Sequence, residues 1–312
     1  MTKPVNAPLL GVVFAAGAAM AFSVTDLIVK ALAAGYALHQ IMLIRGIIGL
    51  GFVLAYACVS PEGFKGIMPR NFAVQGLRSI IILVSNICFF TGLTLLPFAD
   101  AAAIAYVSPL ILTVLSIFFL GEKVGPRRWA AILIGFAGIV VMLRPTSGII
   151  QPAAILVLIS AILYAVGYLM TRRMRDSESA ISMTVWMQIA FIALSLAVGA
   201  AVGDGRYEHV SDTWAFLLRA WSWPPAQDWL WFALSGLFTA IGSVLITQAF
   251  RIAEAGLVAP MEYIGMPLAI FWGLVFFGTW PDFTSWLGIF LICGSGLYII
   301  WRETKVKQDK AP

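Results

Sequence analysis

Ten long apolar stretches, separated by short polar segments, constrain the fold of this 312-residue chain most strongly. Each approaches the roughly 20 apolar residues that cross a bilayer as a helix. Their aliphatic runs do not alternate with polar residues, which favours helices over barrel strands. Hydrophobic residues make up 61% of the chain and charged residues only 11%, too few to cover a soluble fold. The predicted fold class is therefore all-α, a polytopic membrane protein with ten transmembrane helices. The predicted spans are 8–34, 37–58, 73–95, 99–120, 127–144, 150–171, 180–202, 228–250, 255–278 and 283–301.

Lysine and arginine are distributed unevenly between the two sides of these spans. With the N-terminus inside, 14 lie on the inner side, 4 on the outer side and 2 within spans, which accounts for all 20. Because basic residues are enriched in cytoplasmic loops, we expect both termini to be cytoplasmic and the chain to lie in the cell inner membrane. The net charge of +5 then reflects these loops and not nucleic-acid binding. In the long outer connection, Trp214 and Trp221 share one helical face, which predicts an amphipathic helix on the outer leaflet.

The two halves of the chain resemble each other at nearly constant offsets. Ala21-Phe22-Ser23-Val24 matches Leu163-Tyr164-Ala165-Val166 at an offset of 142, and Pro109 matches Pro267 at 158. The second offset is larger by 16 residues, and the long outer connection accounts for them. Five spans per copy is an odd number, so the second copy is expected to be inverted, a building plan of secondary transporters with a site near the middle of the membrane. We expect a first repeat over 8–144, a second over 150–301 and a cytoplasmic tail over 302–312.

The first half also carries a set of short motifs. They are Leu43-Ile44-Arg45-Gly46, Leu95-Leu96-Pro97-Phe98-Ala99-Asp100-Ala101-Ala102, Ser108-Pro109-Leu110, Leu120-Gly121-Glu122-Lys123-Val124, Gly135 and Gly138. With them the chain resembles the EamA-type transporters of the drug/metabolite transporter superfamily. Gly278-Thr279-Trp280-Pro281 departs from that pattern, since Gly-Glu-Arg-like residues are usual there. The resemblance implies ten helices in two pseudo-symmetric halves around a cavity for a small metabolite. Arg78 suggests the subgroup that contains S-adenosylmethionine and riboflavin carriers.

A few charged residues lie well inside the predicted spans, away from the span ends. A charge at mid-bilayer costs about 2.5–3.5 kcal/mol, so such residues face the protein interior. Asp26 either pairs with Lys30, one turn away, or serves the mouth of the cavity. Arg45 either makes structural bonds or attracts an anionic substrate group, and Arg78 either snorkels to the inner end or belongs to the site. Glu262 binds a cationic substrate group, carries a proton, or forms a salt bridge to one of these arginines.

Aromatic and amide side chains complete the predicted substrate site. Trp186, with Gln188 nearby, is a candidate for one wall of the cavity. Tyr106 and Tyr263 are candidates for further aromatic surface, which holds flat or cationic ligands. Asn86 in the third span needs a polar partner, either in the site or between helices. Ordinary helix packing remains the alternative for each of these aromatic residues.

The residues favour a secondary transporter that moves a small polar or amphipathic metabolite by alternating access. The substrate classes considered are amino acids, amines, nucleoside derivatives and vitamins. The alternatives are a membrane-embedded enzyme and a channel-like facilitator. His39 and His209 are the two histidines, and neither HExxH nor a Walker A loop occurs, so we expect no catalytic residues, metal or cofactor. The expected partners are the substrate, membrane lipid and a proton as a candidate coupling ion, but no nucleic acid, and the chain acts as a monomer or homodimer.

Overall fold

Helices account for nearly all of the protein in a computed structural model that describes residues 7–60, 63–120, 125–143, 152–207, 215–253 and 255–308. No strand occurs within these ranges. The helices are α1 (Ala7–Leu32), α2 (Leu38–Val59), α3 (Phe72–Leu95), α4 (Phe98–Ala105), α5 (Ser108–Leu120), α6 (Pro126–Leu143), α7 (Pro152–Arg173), α8 (Ala180–Val202), α9 (Ala215–Leu218), α10 (Trp229–Ile252), α11 (Ala255–Val258), α12 (Gly265–Phe277) and α13 (Phe283–Gln308). Two 3₁₀ segments are Gly63–Gly66 and Ala259–Ile264. The predicted all-α class is confirmed.

Among the residues that the structure describes, eight helices are long and apolar enough to cross a membrane, counting α4 and α5 together, and two shorter apolar helices follow them. The chain is therefore a polytopic membrane protein of about ten helices. Two spans predicted as continuous helices are broken. α4 and α5 together form the fourth span, which is interrupted at Tyr106 and Val107. The ninth span consists of α11, the 3₁₀ segment Ala259–Ile264 and α12.

Local sequence explains where several helices begin and end. The side chains of Asn71 and Ser179 cap α3 and α8 by accepting hydrogen bonds from the Val74 and Ser182 amides at 3.1 and 2.9 Å. α12 ends at Gly278, whose φ of 60° places it in the left-handed region that glycine adopts without a Cβ penalty. These caps satisfy amides and carbonyls that the lipid cannot.

The main helix contacts follow a two-fold pattern. α1 packs against α10 and α3 packs against α7, while α2 packs against α8 and α6 against α13. Exchanging the halves span for span converts the first pair into the second and leaves each of the others unchanged. Glycines bring α6 and α13 together, since a Cβ on Gly138 would lie 3.1 Å from the Gly288 carbonyl oxygen. This pattern is the one expected of two repeats related by a pseudo-two-fold axis.

One end of the bundle, here the Tyr36 end, is closed by contacts between the α1–α2 loop and the segment before α10. The Tyr36 hydroxyl donates to Asp228 Oδ2 at 2.6 Å. Gln40 Nε2 donates to the Ser222 carbonyl at 2.5 Å. Arg219 donates to the carbonyl of Ala33, the residue that follows α1, at 2.9 Å. These bonds join the first half of the chain to the second.

The opposite end, here the Glu178 end, has a matching contact between the α2–α3 loop and the α7–α8 loop. Glu178 Oε1 accepts hydrogen bonds from the amides of Arg70 and Asn71 at 2.8 and 3.1 Å. The Ser179 hydroxyl donates to the Gly66 carbonyl at 2.6 Å. The same exchange of halves that relates the helix pairs also relates these two loop contacts.

The long connection before α10 differs from its prediction in the part that the structure describes. Trp214 lies outside the described residues. Beyond it, α9 is a single turn, and residues 219–225 are not helical. Trp221 stacks on His39 with ring centroids 5.8 Å apart and packs against Gly199 of α8. Trp221 therefore packs against the ends of α2 and α8, and it does not lie on the predicted amphipathic helix.

Candidate functional site

A cavity lies in the middle of the bundle, between the two halves of the chain. It comprises about 1010 Å³ of space free of atoms, part of it open to the surroundings. Its wall is mostly apolar and aromatic with a few polar groups, as in sites for small organic molecules. The charged and amide side chains are those of Asp26, Arg45, Asn86 and Glu262; the rings are those of Phe22, Phe89, Phe90, Tyr106, Tyr164, Tyr168 and Phe191; the hydroxyls are those of Ser23, Thr25, Ser85, Ser108, Ser160, Thr239 and Ser243.

The breaks of the fourth and ninth spans meet beside this cavity. The Tyr106 hydroxyl occupies the space that a Cβ on Gly265 would need. The rings of Tyr106 and Tyr263 have centroids 6.1 Å apart, and Tyr263 in turn packs against Gly296 of α13. Interrupted helices free backbone groups near the middle of the membrane, which is tolerated where the backbone lines a cavity. The breaks therefore shape the site rather than weaken the bundle.

Asp26, Arg45 and Asn86 form the polar part of the first half's wall. The buried Arg45 guanidinium lies 4.8 Å from the centre of the Phe90 ring and 5.5 Å from that of Phe191. One of its nitrogens donates to Asn86 Oδ1 at 3.4 Å. Within the described part of the chain, Asp26 has no hydrogen bond or ion pair, and Arg45 is the positive charge that acts on it. A carboxyl and a guanidinium thus face one cavity without bonding to each other.

Lys30 does not neutralise Asp26, contrary to one of the sequence alternatives. Its Nζ donates to the carbonyls of Leu93 and Leu96, at 2.8 and 2.5 Å. These are orphan carbonyls at the C-terminal end of α3, where a cation is stabilising. The physical reason is geometric, because Lys30 is drawn to the end of α3 while the Asp26 carboxyl faces the cavity.

Glu262 lies in the 3₁₀ segment of the ninth span, and 7% of it is exposed. The Tyr164 hydroxyl donates to its Oε1 at 3.5 Å, and Ser108 also interacts with this carboxyl. Of the sequence alternatives for Glu262, a salt bridge to Arg45 or Arg78 is not formed, because Arg45 lies against Asn86 and Arg78 is bonded to Thr171. Glu262 is therefore held by hydroxyl groups with no cation beside it among the described residues.

Arg78 and Trp186 were predicted for the site, and the structure places both outside the cavity wall. Arg78 Nε donates to Thr171 Oγ1 at 2.7 Å and its Nη1 to the Met183 carbonyl at 3.2 Å, which ties α3 to α7 and α8. Trp186 Nε1 donates to the Ile67 carbonyl at 3.1 Å near the Glu178 end. Both residues satisfy backbone or side-chain acceptors close to their helix ends instead of reaching the middle of the bundle.

Gln188 and Tyr263 also lie behind the wall. Gln188 is buried and packs against Gly49 of α2, and its Nε2 has no hydrogen-bond partner among the described residues. Tyr263 is buried between the fourth span and α13. Of the nine predicted residues, the cavity brings together Asp26, Arg45, Asn86, Tyr106 and Glu262.

The sequence prediction missed most of the rings that line the cavity. Phe22 and Tyr164 both line it, and so do Asp26 and Tyr168, and each pair is separated by the repeat offset of 142. Tyr164 and Tyr168 pack together with centroids 4.4 Å apart. The internal repeat could therefore have revealed these rings, because a residue predicted for the site in one copy indicates the matching residue in the other copy.

Comparison with known proteins agrees with this architecture. The sequence model of the EamA-like transporter family matches twice, over residues 9–144 and 151–301. The riboflavin transporter of Rhizobium johnstonii is 30% identical over 268 residues, 84% of this chain and 82% of that protein. The riboflavin transporter of Vibrio cholerae serotype O1 is 25% identical, covering 96% of this chain and 95% of its own. The S-adenosylmethionine uptake transporter of Rickettsia prowazekii is 25% identical, covering 76% and 74%.

A solved crystal structure shares the fold, with a TM-score of 0.66 and 19% identity over 96% of this chain and 98% of the other. A membrane helix bundle with a cavity between two halves is the arrangement in which secondary transporters hold their substrates. The chain belongs to the EamA-like transporter family, and the predicted membership of the drug/metabolite transporter superfamily is confirmed. It is a transporter of small metabolites and not an enzyme.

Proposed function

We propose that this chain takes up a flat heteroaromatic vitamin of the riboflavin type. The observation that carries the proposal is the cavity wall, with seven aromatic rings beside a few charged groups and several hydroxyls. Aromatic side chains stack on a planar ring system, and hydroxyls and carboxyls can bond a polyol chain. Two of the relatives described above are riboflavin transporters, which supports the same substrate.

S-adenosylmethionine is the second candidate substrate. Asp26 and Glu262 place two carboxyl groups in one cavity, and among the described residues neither forms an ion pair. Such groups attract a cationic ligand, and a sulfonium beside aromatic rings gains cation–π attraction. The Rickettsia relative named for this compound is in accord with that chemistry.

Transport proceeds by alternating access between two inverted five-span repeats, over 8–144 and 150–301. The contacts at the Tyr36 end and the Glu178 end each join the halves, so opening one end while the other stays closed exposes the cavity to one side at a time. Their relation by exchange of halves supports this role, because symmetric repeats can interchange their conformations. The cavity is complete within one chain, so a monomer is the transporting unit even within a homodimer.

The protein lies in the cell inner membrane with both termini and the Glu178 end in the cytoplasm. The bias of basic residues supports this orientation. Glu262 carries a coupled proton, because a buried carboxyl held by hydroxyls and no cation can exist in both protonation states during a cycle. Inward movement of protons then drives accumulation of the substrate.

Fluorescence tests the substrate directly. Purified protein is titrated into riboflavin, whose emission is quenched when its ring stacks on tyrosine, with S-adenosylmethionine as competitor. Saturable quenching, together with saturable uptake into proteoliposomes, supports the flavin proposal. Binding of S-adenosylmethionine without quenching selects the second candidate, and flux that never saturates indicates a channel.

A further inference from the structure

Asp26 and Arg45 both line the cavity, and together they can orient the proposed substrate. Arg45 offers five N–H donors in a planar fork, and among the described residues Asn86 is its hydrogen-bond acceptor. Its guanidinium is held over Phe90 and Phe191, and Arg45 is one of the residues that line the cavity. The arginine is thus rigidly placed with hydrogen-bonding capacity to spare.

Asn86 fixes that placement. Its Oδ1 accepts from Arg45, and its Nδ2 donates to the Ile82 carbonyl one turn earlier in α3 at 3.0 Å. Both ends of the amide are therefore occupied by protein groups. Asn86 is a positioning residue, and of the charged and amide groups on this side the Arg45 donors and the Asp26 carboxyl are left to meet a ligand.

Asp26 supplies acceptors where Arg45 supplies donors. Its carboxyl is without a hydrogen bond in the described structure, although a positive charge shares the cavity. Leaving two such groups apart in an apolar setting is costly unless a ligand or water bonds both. A ligand edge that carries an N–H donor beside carbonyl acceptors complements this pair, with N–H toward Asp26 and C=O toward Arg45.

We infer that Asp26 and Arg45 recognise the imide edge (C=O, N–H, C=O) of a planar heteroaromatic ring. The inference rests on the proposed function, because riboflavin carries such an edge on its pyrimidine ring. The carboxylate of Asp26 accepts the imide N–H, and the Arg45 fork donates to an adjacent carbonyl. The aromatic wall then contacts the ring faces, while Glu262 and Tyr164 remain for the polyol chain.

The test compares riboflavin with 3-methylriboflavin, in which a methyl group replaces the imide hydrogen. A hydrogen bond to a charged group contributes about 1.5–3 kcal/mol, so wild-type protein is expected to bind the methylated compound about 10- to 100-fold more weakly. The protein is unchanged in this comparison, so folding does not affect the result. Fluorescence quenching gives both dissociation constants.

Asp26→Leu separates hydrogen bonding from crowding, because the leucine side chain has the same number and branching of heavy atoms as aspartate but no acceptor. This variant is expected to bind riboflavin about tenfold more weakly or worse, and to bind both compounds within about twofold of each other. If the methyl penalty arose from crowding, it would persist in Asp26→Leu. Asp176→Asn, at an exposed site, is the matched control and is expected to keep the wild-type ratio.

The outcomes separate this inference from the function on which it rests. Riboflavin binding with no preference over 3-methylriboflavin overturns the imide-edge inference and leaves the substrate proposal standing. A wild-type preference that Asp26→Leu retains also overturns it. Absence of any riboflavin binding to wild-type protein overturns the substrate proposal and the inference together.

Discussion

The Tyr36 hydroxyl donates a 2.6 Å hydrogen bond to Asp228, and this bond joins the two halves of the chain at one end of the bundle. Burial and the bond to Asp228 raise the pKa of Tyr36 to about 12. The phenol therefore stays protonated, and the bond intact, throughout the physiological range. Because the folded pKa is raised, its contribution is fully present below the ordinary pKa of 10 and is lost as pH rises toward about 12.

Tyr36→Phe is expected to open the Tyr36 end more often. Loss of a hydrogen bond to a charged acceptor costs about 1.5–3 kcal/mol, so the open population should rise about tenfold or more. A cysteine introduced at Ser243 in the cavity wall should then react faster with a membrane-impermeant thiol reagent applied from outside. Tyr207→Phe, at an exposed tyrosine, is the control. Equal labelling rates in both variants would show that this bond does not close the cavity.

Arg78 is expected to act on stability and not on substrate affinity. Arg78→Gln removes buried bonds to Thr171 and Met183 and should lower the free energy of unfolding by about 2–4 kcal/mol. Thermal unfolding in detergent measures the change, and flavin titration of the folded protein should give an unchanged dissociation constant. Arg70→Gln, with an exposed side chain, should alter neither. A tenfold loss of affinity in folded Arg78→Gln would instead place Arg78 in the binding machinery.

Glu262→Gln tests proton coupling. The amide can keep its contacts to Tyr164 and Ser108 but cannot ionise, so accumulation driven by a pH gradient should be lost while exchange of internal for external substrate persists. Proteoliposomes loaded with substrate measure both activities. Asp176→Asn is the control for loss of an exposed carboxyl. Weakened binding would identify Glu262 as a ligand of the substrate, and unchanged transport with reduced thermal stability would leave it a structural residue.

Gly265→Ala is expected to impair transport through a steric clash. The new methyl group would overlap the Tyr106 hydroxyl at the meeting point of the two broken spans. We expect at least a tenfold loss of flux, partly restored in the double variant with Tyr106→Phe, which removes the overlapping atom. Gly294→Ala adds a methyl group where nothing lies within 4 Å and should transport normally. Failure of Tyr106→Phe to restore flux would exclude this contact as the cause.

The orientation can be read by cysteine labelling in a variant whose three free thiols, at Cys58, Cys88 and Cys293, are replaced by alanine. Trp223 is 86% exposed near the Tyr36 end, and Phe64 is 57% exposed near the Glu178 end. An impermeant reagent outside intact cells should label a cysteine at 223 and spare one at 64. The reverse pattern would place the termini outside and contradict the charge-based orientation.

The sequence predicts a residue's location best where few surroundings are energetically acceptable for its side chain. A charge within an apolar span has few tolerable locations, and Asp26, Arg45 and Glu262 all line the cavity, while their roles in binding stay predictions. Prediction from the sequence fails where two different surroundings suit a side chain equally well. Trp186 suits a site wall and a helix end equally well from its sequence, and the Ile67 carbonyl that it bonds belongs to a loop whose path no local pattern specifies.

The helix breaks show the same limit. Pro109 and Pro267 were visible in the sequence, but each lies at the start of the helix that follows its break, where proline is well tolerated. The interruption itself depends on packing between spans, with Tyr106 against Gly265. That contact joins residues far apart in the chain, so no window of sequence contains it.

Matching positions in the two halves of the chain affect how such a cavity can acquire a new substrate specificity. Phe22 and Asp26 have counterparts in Tyr164 and Tyr168, so these two wall positions occur once in each half of the chain. One copy can keep a ring that supports the neighbouring helices while the other is free to gain a charge. Here the first copy holds a carboxyl where the second holds a phenol. Such paired positions allow a mutation in one half to alter the cargo while the matching residue in the other half maintains the packing of the helices.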